Sequence, residues 1–116
     1  MERAEVPLDN WMQFFDDFTT AHRGWIVALD VMADSLGAQP EVTGLPLVGI
    51  TVEEKDHQQH LEIMVGGRTD AHVTRIIDSP TRIWNSRDAI DVESDDGTVT
   101  LLRFMRVEHT DRLLAP

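Results

Sequence analysis

Four aromatic residues, Trp11, Phe14, Phe15 and Phe18, recur at the i, i+3, i+4, i+7 spacing that lines one face of an α-helix. Everything after them reads as β. The chain therefore commits to one amphipathic helix whose aromatic stripe must be buried against a sheet. Pro7-Leu8-Asp9-Asn10 opens that helix; Asn10 with Gln13 has the spacing of a capping box, and Asp9 is an alternative cap. Asp16 and Asp17 fall off the stripe and are expected to face water. Gly24 is expected to stop the helix, with His22 and Arg23 placed to suit its negative end.

Beyond Gly24 the side chains alternate. Trp25, Val27, Leu29 and Val31 share one face of a first strand, and a loop is expected around Asp34 to Gly37. A second extended segment runs from Glu41 to Glu53, interrupted by Gly44, Pro46 and Gly49. Proline cannot donate to a ladder, so Pro46 marks a bulge, an edge or a bend, and three breakers together point to a strongly coiled strand. The segment 54–59 turns into a third strand in which Leu61, Ile63 and Val65 alternate with Glu62 and Met64. Gly66-Gly67 turns that into a fourth, Ala71 to Asp78, stopped by Ser79-Pro80. Residues 81–88 are ambiguous: Ile83 and Trp84 must pack, while Asn85 to Asp88 resembles a loop. Ile90 to Ser94, Asp95-Asp96-Gly97 and Thr98 to Met105 read as a tight hairpin with Gly97 in a left-handed turn position.

These signals predict an α+β fold, an N-terminal helix on a five- or six-stranded, mostly antiparallel sheet that is curled or forms a small open barrel. At 116 residues the chain suits one domain, 1–116, with residues 1–6 and 107–116 read as loose tails.

The formal net charge is −11, from 21 acidic and 10 basic residues, and Lys55 is the only lysine among the latter. A field of that sign repels phosphates and anionic lipid, so neither a nucleic-acid nor a membrane partner is expected. No apolar run approaches the ~18 residues of a membrane helix. The chain has no cysteine, which removes disulfides and thiolate chemistry and fits the reducing cytoplasm, the expected location.

The motifs Trp11-x-x-Phe14-Phe15-Asp16, Leu45-Pro46-Leu47-x-Gly49-Ile50, Leu61-Glu62-Ile63, His72-Val73-Thr74-x-Ile76 with Pro80, and Ile90 to Gly97 follow one another in order. In that order and spacing the chain resembles the bacterial proteins grouped as domain of unknown function 5335, over roughly residues 8–104. Arg75 stands where some relatives are expected to carry a second histidine. The resemblance implies the extent of the domain and assigns no activity, cofactor or catalytic residue.

Read on their own, the residues offer a few site candidates. In a hairpin turning near Gly67, Glu62 and His72 would face each other across the ladder, and His60 would share their face. That makes His60, Glu62 and His72 a two-histidine, one-carboxylate metal candidate, set against the plainer reading of a solvated sheet face. The carboxylate pairs Asp16-Asp17, Glu53-Glu54 and Asp95-Asp96 sit at a helix surface or in turns, where water screens them. No serine sits in a nucleophile elbow and no glycine-rich phosphate loop occurs. An exposed face of Trp25 or Trp84 would anchor a protein partner, and the bend at Pro46 would leave an edge for a second copy of the chain.

The leading expectation is thus a small acidic binding or interaction module without catalytic activity or cofactor, acting as a homo-oligomer or with a protein partner. The alternative is a metal-dependent or acid–base enzyme using the histidine–glutamate set. An acidic mimic of nucleic acid is a more distant one.

Overall fold

The chain enters its helix through a 3-10 turn. Pro7 takes φ −60° and ψ 147°, and its C=O accepts the N–H of Asn10 at 2.9 Å. Leu8–Asn10 form the turn and α1 follows from Trp11 to His22. These elements belong to a computed structural model that describes residues 3–33, 37–67 and 72–105. The expected capping box is not formed: Asn10 makes no side-chain cap bond, and Gln13 donates instead to Asp17 at 2.9 Å. The tighter turn takes over a role otherwise left to a cap. At the far end, Arg23 (φ −59°, ψ 128°) and Gly24 (φ 91°) are the central residues of a type II turn closed by Trp25 N–H on His22 C=O at 3.0 Å. The second central position of that turn needs a positive φ, which is why a glycine stands there.

Eight strands appear among the described residues, against the five or six expected: β1 (Ala4–Glu5), β2 (Ile26–Ala33), β3 (Gly37–Lys55), β4 (Gln58–Gly66), β5 (His72–Asp78), β6 (Pro80–Asn85), β7 (Ala89–Ser94) and β8 (Val99–Met105). They form one sheet in the order β1-β6-β7-β8-β2-β3-β4-β5, and all neighbours are antiparallel. The two extra strands are β6, in the stretch that was ambiguous in sequence, and β1, which pairs Ala4 with Asn85 and Glu5 with Trp84. Val6 follows β1 into the core at 7% exposure, and its C=O accepts the Trp11 indole N–H at 2.8 Å. Of the segment expected to be a loose tail at the start, residues 3–6 are thus paired or packed. The other expected tail, 107–116, lies outside the described residues, as does most of the expected loop at 34–37.

β3 accounts for the three breakers in its sequence. Its first half, up to Pro46, pairs with β2, and its second half, from Leu47, pairs with β4. Pro46 sits at the changeover, and a register shift follows between Leu47 and Gly49. A residue with no N–H is tolerated there because the ladder changes partner at that point. At the other end of β3, Asp56 (φ 54°) and His57 (φ 66°) both take positive φ in a tight turn into β4, as a type I′ hairpin requires.

β5 and β6 are joined by Ser79 alone (φ 52°), although six strand spacings separate them in the sheet order. A flat sheet would hold them about 29 Å apart, so the sheet curls until its two ends meet at this corner. Ser79 N–H donates to Gln59 C=O at 3.1 Å, and Ser79 C=O accepts Asp95 N–H at 3.1 Å. Inside the curl lies one apolar cluster containing Val27, Leu29, Leu47, Ile50, Leu61, Ile63, Val65, Ile83, Ile90, Val92 and Leu102. Trp11, Phe15 and Phe18 of α1 pack into it, with Phe14 half-buried at its margin. The stripe read in the sequence covers the sheet as expected.

Candidate functional site

Phe14, at the edge of the helical stripe, starts an aromatic group that runs along the margin of the core. Phe18 and His22 follow it along α1 at intervals of four, so their rings stack up the helix face. The Phe14 and Phe18 centroids are 6.2 Å apart and those of Phe18 and His22 4.0 Å, with the latter rings nearly parallel at 16°. Trp25, just past the type II turn, meets His22 edge-on at 4.3 Å. Phe104 of β8 closes the group, 5.0 Å from Phe18 and 5.1 Å from His22. It is delivered by the β2–β8 register, in which Phe104 lies opposite Val27.

Two adjoining open cavities lie over these rings. One, of about 440 Å³, runs between α1 and the β6–β7 turn, lined by Gln13, Phe14, Asp17, Phe18, Asn85 and Ser86 among others. The other, of about 740 Å³, runs over Trp25, Asp88, Ala89, Arg103 and Met105. His22, Arg87 and Phe104 line both, which makes the two parts of one cleft. Volumes of this size are those of small-molecule sites.

The polar groups of the cleft are few and fixed. His22 Nδ1 lies 2.9 Å from the C=O of Phe18. A carbonyl oxygen only accepts, so Nδ1 carries the proton, and in the neutral ring Nε2 presents a lone pair. Arg103 is engaged by Asp30 at 2.9 Å. Arg87 stands exposed on the β6–β7 turn, whose geometry is held by Ser86 N–H and Oγ both donating to Ala89 C=O at 2.9 and 3.1 Å. It has no ion-pair partner among the described residues.

The histidine–glutamate set is not assembled. β4 and β5 pair with Gly66 opposite His72, Glu62 opposite Ile76 and His60 opposite Asp78. With Ile76 rather than His72 opposite Glu62, His72 lies four residues, about 13 Å, along the ladder from Glu62. His60 and Glu62 do share the outer face of β4. His60 Nδ1 meets Asp78 Oδ1 at 2.7 Å, with Glu53 on its other side in register. Among the described residues no three histidine, aspartate or glutamate side chains are placed to hold a metal ion.

The other candidates are occupied locally. Trp84 is half-buried on the outer face of β6: its indole N–H donates to Glu93 at 2.9 Å, and the Arg3 guanidinium covers its ring at 4.3 Å. Pro46 lies opposite Ile26 in the β2–β3 ladder, and Leu47 beside it exchanges bonds with Trp25 C=O at 2.8 Å and Gly24 N–H at 2.9 Å. The bend at Pro46 is therefore covered on the β2 side. Of the carboxylate pairs, Asp96 has a specific local bond: Thr98 N–H donates to its Oδ1 at 2.9 Å, which holds that carboxyl below its ordinary value.

The sequence pattern of a family of unknown function, DUF5335, matches residues 2–113, nearly the whole chain. The chain belongs to that family. It is also similar to an uncharacterised protein of Aquifex aeolicus (strain VF5), 26% identical over 114 residues that cover 98% of this chain and 91% of the relative. The family match confirms the resemblance read from the ordered motifs, and neither likeness carries an activity. No solved structure matches the chain. No helix of the described residues is long and apolar enough to cross a membrane.

Proposed function

We propose that this protein is a non-catalytic binding module and that it binds a small organic ligand in the aromatic cleft between α1 and β8. The observation that supports this most directly is the adjoining pair of cavities, about 440 and 740 Å³, lying over the rings of Phe14, Phe18, His22, Trp25 and Phe104. Phe14 and His22 are only partly buried at the margin of the core, and a ligand seated against them would bury more of their surface. A few fixed polar groups at the rim then orient what binds. The same proposal locates the protein in the cytoplasm, supported by a chain of 116 residues without cysteine. Catalysis by a metal held on His60, Glu62 and His72 receives no support from the strand register.

A fragment screen followed by two-dimensional NMR tests the reading. Shifts that cluster on His22, Trp25, Arg87 and Phe104 are expected. Shifts confined to the outer face of β4–β5, or no site-specific shift at millimolar fragment, would sink it.

A further inference from the structure

Away from the cleft, we infer that the outer edge of β5 docks an extended segment of a partner protein, one that sets an acidic side chain against Arg75. β5 ends the strand order and pairs with β4 alone among the described residues. The ladder shows which of its backbone groups are left over. Gln59 C=O points toward the β5 side, where it accepts Ser79 N–H at 3.1 Å. Alternate residues of a strand turn their backbone groups to the same side. Leu61, Ile63 and Val65 therefore also face β5 and bond Ile77, Arg75 and Val73, their partners in register. His72, Thr74, Ile76 and Asp78 are left with N–H and C=O turned outward. All four are exposed, and Ile76 leaves 54% of its surface in water. A strand added here gains a row of main-chain hydrogen bonds and covers an apolar side chain.

The partner's chemistry follows from Arg75, which lies on the inner face of the edge, opposite Ile63. Glu41 Oε2 stands 3.7 Å from its Nη1, beyond hydrogen-bond length, and its Nε is buried without a hydrogen-bond partner. Asp96 is near enough to feel the charge, but its Oδ1 is taken by Thr98 N–H. The guanidinium thus keeps donors in hand at the lip of the sheet. An arriving strand puts alternate side chains on this same inner face, and a carboxylate among them can accept two of those N–H groups at once. A second copy of the chain would instead bring a second Arg75 to that face, like charge against like. The side chain that keeps the edge from pairing with itself therefore selects what does pair.

The test titrates the full chain by NMR with two extended peptides, Ac-KTVTEVTK-amide and its twin with glutamine in place of the glutamate. The twin carries one more net positive charge, so long-range attraction to a chain of net charge −11 favours the twin. A preference for the glutamate peptide therefore reports a specific contact. That peptide is expected to shift the amides of His72 to Asp78 and to bind about threefold more tightly than its twin, as for a partly exposed ion pair. Arg75→Gln should erase the preference, while Arg82→Gln, the same loss of charge on β6, should keep it. Thr74→Pro, which removes one outward N–H from the edge, should weaken both peptides. Equal binding at β5, or a preference that survives Arg75→Gln, overturns the acidic partner. No shift along β5 at millimolar peptide, or a wild-type chain that pairs with itself through β5, overturns the docking edge.

Discussion

The hydroxyl of Thr19 takes the place of a neighbouring strand at Ile50: its Oγ accepts the Ile50 N–H at 3.0 Å and faces the Ile50 C=O at 3.4 Å. β2 pairs with β3 only as far as Pro46, so beyond that point the β2-side edge of β3 would otherwise end unpaired against the helix. Thr19 is 9% exposed and water has little access to replace it. Thr19→Val keeps the shape and removes both bonds, leaving a buried donor and acceptor unmet. It should cost about 1–3 kcal/mol in chemical denaturation. Thr19→Ser should recover most of that loss, because it restores the hydroxyl.

A second buried hydroxyl has the opposite expectation. Thr100 Oγ is buried without a hydrogen-bond partner, and the residue is fully enclosed in β8. Thr100→Val replaces an unmet polar group by a methyl of similar size. A gain of about 1 kcal/mol is expected, seen as a rise in Tm of about 4 °C by calorimetry. A fall in Tm would mean that the hydroxyl is satisfied in solution.

Arg75 guards an open edge. It lies opposite the buried Ile63, so it projects from the outermost strand β5 toward the apolar side of the sheet, and its guanidinium reaches Glu41 at 3.7 Å. A charge turned inward on an edge strand discourages pairing with another chain. Arg75→Val would complete an apolar face there. Sedimentation velocity should then show concentration-dependent association beyond that of the wild type. An unchanged sedimentation coefficient across a wide concentration range would remove Arg75 from this role.

Protonation should loosen the β7–β8 turn in one direction only. The Thr98 amide lowers the Asp96 pKa from its ordinary 3.8 in the folded chain. A group depressed on folding contributes stability that is present above its unfolded value and lost as pH falls through the folded one. Asp96→Asn keeps an acceptor for Thr98 N–H but cannot titrate. The Tm difference between wild type and Asp96→Asn should be constant above about pH 5 and narrow as the pH drops below about 3.8.

Much of this architecture was legible along the chain because it rests on local periodicity. Leu61, Ile63 and Val65 alternate with half-exposed neighbours in β4 as their pattern implied, and Trp11, Phe15 and Phe18 are buried at their helical spacing. β1 escaped notice because two residues, Ala4 and Glu5, carry no period at all. β6 escaped because only Pro80 and Ile83 along it are buried, three residues apart, which gives no strand period. The metal candidate rested on a register that a turn signal could not fix: the ladder sets Ile76, not His72, opposite Glu62. The cleft was beyond reach for a different reason. His22, Arg87 and Phe104 come from a helix end, a turn and a late strand, each unremarkable in its own segment. The nearest local hint was Phe14, the one member of the aromatic stripe not fully buried.

The pairing of β2 with β8 joins Met32 to Val99 and Ile26 to Met105, and it sits at the middle of the strand order. During synthesis, β2 to β5 can zip together as a run of neighbours while β6 to β8 are still emerging, yet the seam between the two halves waits for residue 105. A nascent chain halted short of that point would hold a partial sheet with the β8-side edge of β2 unpaired. Among the described strands, the last to leave the ribosome is therefore the keystone of the sheet, and its arrival also brings Phe104, the floor of the cleft.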